Sequence, residues 1–419
     1  MKILIYSANF APEPTGIGKY SGEMAEWLAA HGHDVRVVCA LPYYPHWKLD
    51  PAFARRAFRR DAWRGATVWR APIWVPASPT GAKRVLHLLS FAIASLPLMV
   101  RQMFWRPDLV LTVAPAFVCA PMGWLTARLA GARAWLHLQD FEVDLAFNMG
   151  LLSNKLVRHV VLRMERLMLR RFDQVSSISG RMLQTLLRKG VDPARTQYLP
   201  NWVDVRRISP DSHHDSFRMQ LGIPAKSVVV LFSGSLGSKQ GLMSIPATAS
   251  LLSEREDIVF VVCGDGVMKP ALQAAASALR NVRFLALQPI ERLGELLCFG
   301  DIHLLPQNAE ATDLVLPSKL SGMLASGRPV ITMSEPGTEL HSVVSQCGLV
   351  VPPEDTLALA GAVVRLAEDR ALRRELGERA RSYAENNFEI DLVLARVFGA
   401  GGVMDPSVAS QRLATSAAP

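Results

Sequence analysis

The sequence predicts an α/β protein of two doubly wound, Rossmann-like domains, and three observations lead there. Short apolar runs rich in Val, Ile and Leu alternate with longer helix-patterned segments, which is the signature of βαβ units on a parallel sheet. The alternation is set out twice, and each half opens on a strand followed by a glycine-rich turn. The chain has 419 residues, more than one hydrophobic core usually organises.

The elements follow in order. Lys2–Tyr6 (KILIY) reads as the first strand, and the pattern around Gly18–His31 as a helix with Met24, Trp27 and Leu28 inward. Asp34–Ala40, Asp108–Val113 and Ala134–Leu138 are the next strands of the first half. In the second half the strands are Ser227–Ser233, Asp257–Cys263, Val282–Leu285, Ile302–Leu305 and Pro329–Thr332. Pro200 and Asn201 break regular structure between the halves, so domains are expected at 1–200 and 201–385. A last helix is expected over Leu357–Asn386, with helical pattern over 386–399 crossing back toward the first domain. The Gly/Ala/Ser-rich tail 400–419 is expected to be disordered.

Half of the residues are hydrophobic and 20% charged, a globular composition. A net charge of +9 favours anionic partners such as nucleotide phosphates or anionic lipid. The five cysteines (Cys39, Cys119, Cys263, Cys298 and Cys347) are scattered without a CxxC pair, as expected of reduced thiols. The N-terminus lacks the long apolar run and cleavage site of a signal peptide, so a cytoplasmic protein is expected. Two features point to a membrane surface. Arg55, Arg56, Arg59, Arg60 and Arg64 form a dense basic run at helical spacing; a solvated helix face is the alternative. Val85–Val100 is strongly apolar, is flanked by Lys83, Arg84 and Arg101, and leads to Trp105; a buried core helix is the alternative.

Five stretches carry chemistry. Pro14–Tyr20 (PTGIGKY) lets backbone approach a ligand at Gly16 and Gly18, although Ser21 stands where a dinucleotide fingerprint needs a third glycine. Gly234–Gly241 (GSLGSKQG) places Lys239 in a glycine-rich turn suited to a diphosphate. Gly264-Asp265-Gly266 follows a buried strand, as a sharp turn or as part of a site. In Asp313–Pro329 (DLVLPSKLSGMLASGRP), Pro317 and Ser318 mark a helix start with Ser318 as a capping candidate. Lys319 then stands in the first turn, where a cation wants an anionic neighbour. His137, Gln139, Asp140, Glu142 and Asp144 cluster after the strand ARAWLHL; His137 could bond a sugar and Asp140 orient or deprotonate a hydroxyl. No DxD and no zinc-spaced Cys/His set occurs, so no metal or other cofactor is expected. Charge on a leaving diphosphate would then fall to the lysines.

Together these stretches resemble the large GT-B glycosyltransferase family 4. "YLPNWVD" is similar to its interdomain PNGVD, "FSGSLGSKQGL" to its phosphate turn, "VVCGDG" to its GDG, and "LPSKLSGMLASGRPVI" to PSKLYEYMAAGKPVI. The resemblance implies a retaining glycosyltransferase whose two domains face each other across a cleft. It implies donor contacts at Gly16, Gly18, Gly234, Lys239, Gly264, Leu287, Asp313, Pro317, Ser318 and Lys319. "NFAPEPTGIGKYSGEMAEWLAAHGHDVRVVCALPYYPHW" and "LHLQDFEVD" resemble the colanic-acid biosynthesis fucosyltransferase group. That likeness implies a GDP-fucose-like donor and a polyprenyl diphosphate-linked acceptor at the cytoplasmic face of the inner membrane, with no nucleic acid involved. Two departures stand out: Ser235 replaces the family's arginine, and Gly322 its ribose-holding glutamate. A nucleotide-sugar epimerase of the same fold and a non-catalytic polysaccharide assembly factor are the rival readings.

Overall fold

The computed structural model describes residues 1–53, 57–78, 81–114, 117–141, 155–210, 215–237, 240–308 and 316–399. Arg55, Arg56, Glu142, Asp144, Lys239, Asp313 and the tail 400–419 lie outside the described residues. The chain forms two compact units, Met1–Pro200 joined by the chain from Leu394, and Asn201–Val393.

Among the described residues the first unit has eight strands: β1 (Lys2–Ser7), β2 (Asp34–Ala40), β3 (Arg59–Trp63), β4 (Ala66–Ala71), β5 (Leu109–Ala114), β6 (Arg133–Leu138), β7 (Gln174–Ser177) and β8 (Thr196–Tyr198). Their order is β3-β4-β2-β1-β5-β6-β7-β8. Every pairing is parallel except β3 with β4. The central strand β5 (LVLTVA) is buried along its whole length, because helices cover both faces of a parallel sheet. The helices are α1 (Gly16–Ala30), α2 (Gly81–Trp105), α3 (Ala120–Ala130), α4 (Lys155–Leu169) and α5 (Gly180–Arg188).

The arginine run corrects one expectation. Arg59 and Arg60 lie on strand β3 instead of a helix. Trp63 pairs with Ala66 across Arg64-Gly65, both of positive φ (40° and 92°), the two-residue turn that a tight hairpin requires. Arg59 pairs with Asp61 at 2.6 Å, and the Arg60 guanidinium stacks 5.1 Å from the Trp69 ring.

The apolar segment lies within α2, a 25-residue helix containing Pro97. Its buried side includes His87, Ser95 and Gln102, each bonded inward: His87 Nδ1 to the Trp74 carbonyl at 2.5 Å, Ser95 to the Tyr6 hydroxyl at 2.7 Å, and the Gln102 carbonyl to Arg36 at 3.3 Å. Its outer side carries Leu86, Leu89, Ile93, Leu96, Val100 and Phe104, with Ile93 65% and Phe104 84% exposed. The spacing of three and four residues makes one continuous apolar stripe. Only a third of its most apolar stretch is buried, so the helix is not a plain core helix.

Among the described residues the second unit has six parallel strands in the order β11-β10-β9-β12-β13-β14. They are β9 (Val228–Ser233), β10 (Ile258–Cys263), β11 (Val282–Leu285), β12 (Ile302–Leu305), β13 (Val330–Met333) and β14 (Gly348–Val351). The helices are α6 (Asp215–Leu221), α7 (Ser244–Leu251), α8 (Lys269–Ala275), α9 (Leu293–Phe299), α10 (Lys319–Ala325), α11 (Glu339–Val344), α12 (Thr356–Glu368), α13 (Arg370–Asn387) and α14 (Ile390–Phe398). Alternate residues of β9 and β10 enter opposite layers: Val230, Phe232 and Phe260 one cluster, Leu231, Val259 and Val261 the other. The single long helix expected over Leu357–Asn386 is two. Asp369 (φ −95°, ψ 89°) ends α12, and its carboxylate accepts the Leu372 amide to cap α13. Helix α14 begins in the second unit and ends in the first, where Phe398 packs 5.2 Å from Trp135.

Candidate functional site

In doubly wound sheets, ligands bind beyond the carboxyl ends of strands where the winding direction reverses. Those points fall between β1 and β5 in the first sheet and between β9 and β12 in the second. The glycine turn at Gly16 and Gly18 follows β1, the GSLG turn follows β9, and Lys319 lies in the segment after β12.

In the first unit the glycine turn is held by Glu13, a residue that sequence reasoning missed. Glu13 is 4% exposed. Its Oε1 accepts the amides of Tyr43 (3.1 Å) and Tyr44 (3.0 Å), and its Oε2 accepts Asn9 Nδ2 (2.9 Å). Burial raises its pKa, and those hydrogen bonds oppose the rise. A Cβ at Gly18 would stand 2.6 Å from Glu13 Cβ, so glycine is what lets α1 close on this carboxylate. Gly16 opens α1, and a Cβ there would lie 3.8 Å from the Tyr44 ring. Glu13→Ala strips the Tyr43 amide, which is buried, and the Tyr44 amide, which is partly buried, of their acceptor. It is expected to destabilise the first unit by about 1–3 kcal/mol per unsatisfied group, measured by denaturant melting. An unchanged melt would remove Glu13 from this role.

His137 sits inside the sheet on β6, 2% exposed, with Nδ1 2.9 Å from the Ser176 hydroxyl and Nε2 3.4 Å from the Gln139 amide. Burial pushes its pKa down to about 3, so it is neutral at physiological pH and bonds to protein groups. Asp140, just beyond β6, is half-buried, and its charge reaches the Tyr44 hydroxyl. Of the residues expected at a membrane surface, Trp105 ends α2 with the Arg36 guanidinium 4.2 Å from its ring.

In the second unit the two glycine turns dock on each other. Gly234 N–H donates to the Cys263 carbonyl at 2.9 Å, and Leu236 N–H to Asp265 at 2.8 Å. Gly264 has φ 156°, and a Cβ there would fall 1.9 Å from the Gly234 carbonyl oxygen. The GDG motif is thus a seat for the turn after β9. Against that turn lies Lys319. Its Nζ donates to Gln240 Oε1 at 3.1 Å, stands 4.1 Å from the Phe232 ring, and would be 3.6 Å from a Cβ at Gly234. Desolvation lowers its pKa to about 7. Ser318 does not cap α10: its own φ and ψ are helical, and its side chain makes no cap bond. Pro317 is half-buried beside it, and Leu287 is 49% exposed beyond β11. Gly322 packs at Leu297, where a Cβ would come within 3.2 Å.

A cavity of about 350 Å³ opens beside this turn, lined among others by Gly237, Gly241, Met268, Gln307, Met333 and Glu354. That is the small end of the range for ligand pockets. None of the last four was singled out by motif; Met333 ends β13 and the other three lie in loops just after parallel strands, so position at strand ends is their shared signal.

Two family patterns cover the chain: a glycosyl transferase 4-like domain over residues 15–202, and glycosyl transferases group 1 over residues 227–369. The colanic acid biosynthesis glycosyl transferase WcaI of Escherichia coli K12 is 39% identical over 404 residues, spanning 94% of this chain and 98% of that protein. Sucrose-phosphate synthase from Thermosynechococcus elongatus superposes with a TM-score of 0.71 at 18% identity, over 99% of this chain and 100% of that one. HepE of Anabaena, solved with UDP and glucose, gives 0.67 at 16% identity over 95% and 98%. These structural likenesses establish the GT-B fold. The chain therefore belongs to the GT-B glycosyltransferases that join a glycosyl transferase 4-like domain to a group 1 domain, and it is a glycosyltransferase.

Proposed function

We propose that this glycosyltransferase moves fucose from GDP-fucose, with retention of configuration, to a polyprenyl diphosphate-linked saccharide in the synthesis of a colanic-acid-like bacterial exopolysaccharide. In this reading it works in the cytoplasm, peripherally attached to the inner membrane, without a metal ion. The name of the full-length relative WcaI supports the pathway. The observation that carries the donor half is Lys319: a desolvated amine with an amide partner, aimed at the turn after β9. Lys319 and Lys239 would meet the diphosphate. The acceptor hydroxyl oxygen bonds to the sugar C1 as the C1–O bond to the β-phosphate breaks, and the hydroxyl proton passes to the departing phosphate oxygen. Asp140 then needs only to orient the hydroxyl. The outward apolar stripe of α2 supports the membrane location.

A thermal-shift screen of GDP-, UDP-, dTDP- and CDP-sugars in EDTA tests the donor. GDP-fucose at about 100 times its dissociation constant should stabilise the donor unit by about 2.7 kcal/mol, roughly 5–10 °C. A larger shift with UDP-glucose would remove GDP-fucose. A shift or a transfer rate that needs added magnesium would remove the metal-free reading.

A further inference from the structure

We infer that Tyr44, Trp47 and Arg84 form the acceptor subsite, with the two aromatic rings lying against an acceptor sugar and the guanidinium pairing with the diphosphate that carries it. The inference rests on the transfer reading above and names the residues on its acceptor side.

The loop after β2, Leu41-Pro42-Tyr43-Tyr44-Pro45-His46-Trp47, is rich in aromatic residues and is anchored at the candidate site. Glu13 holds the Tyr44 amide, and the Tyr44 ring covers Gly16. The Tyr44 hydroxyl feels the charges of Glu13, Arg84 and Asp140, so the ring stands among the glycine turn, the acid after β6 and the start of α2. It is 39% exposed.

Trp47 is held at φ 50°, a left-handed conformation that a bulky residue adopts only at a cost. The loop sustains it through backbone bonds from Lys48 to Tyr43 and from Asp50 to Pro42. The strain sets the indole in a ring cluster, 5.2 Å from His87 and 5.6 Å from Tyr43, with the Arg84 guanidinium 5.3 Å away. His87 adds a polar signal. Its Nδ1 donates to the Trp74 carbonyl, so Nε2 is left as an acceptor, and among the described residues no donor meets it. A buried acceptor in an aromatic corner suits a hydroxyl-bearing ligand.

Sugars present apolar C–H faces to aromatic rings and hydroxyls to a few fixed polar groups. Arg84 is exposed and forms no ion pair among the described residues, so its planar fork is open to a phosphate.

Calorimetric titration with geranyl diphosphate-linked glucose, galactose and fucose, and with octyl glycosides of the same sugars, tests the subsite. Trp47→Ala should weaken binding of the preferred sugar in both forms by about tenfold. Trp47→Phe should recover part of the loss. Arg84→Ala should weaken the diphosphate-linked form by about tenfold and leave the octyl glycoside unchanged. Donor affinity should not move in any variant, which separates the effect from misfolding. Wild-type acceptor affinity in both alanine variants would overturn the subsite, as would a wild type that binds none of the probes. A wild type that binds the diphosphate-linked sugar but yields no product with any donor would leave the subsite standing and remove the transfer reading.

Discussion

Lys319→Ala is expected to slow transfer roughly 10²–10³-fold, about 2.7–4 kcal/mol of barrier, the scale on which one preorganised electrostatic stabiliser acts. The reason lies in its surroundings. Among the described residues the amine meets one amide oxygen and one aromatic face, and desolvation lowers its pKa to about 7. That is an unfavourable place for a cation until an anion arrives. A diphosphate supplies the missing charge and pulls the pKa back up. The sign follows: below pH 7 the amine is charged both free and bound, and donor affinity is at its plateau. As pH rises above 7 the free enzyme loses the proton and the complex keeps it. Affinity should then fall by up to about tenfold per pH unit until the bound amine also titrates. At pH 8, donor binding should therefore take up a proton, visible as a binding heat that changes with the ionisation enthalpy of the buffer. Lys319→Gln should abolish the buffer dependence. A wild-type enzyme whose donor affinity is flat from pH 7 to 9, or a Lys319→Ala enzyme near wild-type rate, would place the diphosphate elsewhere.

What could be seen in the sequence follows from what is local. The strands at Asp34–Ala40, Val282–Leu285 and Ile302–Leu305 coincide with β2, β11 and β12, because buried parallel strands are continuous apolar runs bounded by polar residues. The turns after β1 and β9 were legible because a backbone that must approach a neighbour closely demands glycine, as Gly18 does at Glu13. Tertiary relations were not legible. Glu13 looks like an ordinary loop acid, and only the fold buries it under two tyrosine amides. Gln240 becomes the partner of Lys319 across a separation of 79 residues. The arginine run misled because charge spacing fits a helix face and a hairpin strand alike, and the Arg64-Gly65 turn decides it. The break at Asp369 was hidden because an aspartate in an otherwise helical pattern signals a cap only when the backbone turns there.

The second large effect is expected at the outer face of α2, where Ile93→Ser with Phe104→Ser should cut binding to vesicles of anionic phospholipid by roughly 10–150-fold. Full burial of an Ile or Phe side chain is worth about 1.5–3 kcal/mol, and interfacial insertion recovers about half of that. Two such losses come to about 1.5–3 kcal/mol. An arginine near an anionic surface contributes about 1 kcal/mol. Arg59 offers less, because Asp61 already pairs with it at 2.6 Å. Each of these apolar side chains should therefore match or outweigh a paired arginine such as Arg59. The same comparison predicts the salt response: raising ionic strength screens the charges of Lys83 and Arg101 but leaves the apolar contribution, so wild-type binding should weaken with salt without vanishing. Both replaced side chains are exposed, 65% and 84%, so the melting temperature should hardly change, which separates lost membrane contact from lost folding. The helix explains why this face can stay apolar in water. Its inward side is fixed by specific polar bonds from Ser95 and Gln102, so α2 cannot turn over to hide the stripe without breaking them. Vesicle binding that survives both replacements would show that the stripe faces something other than lipid.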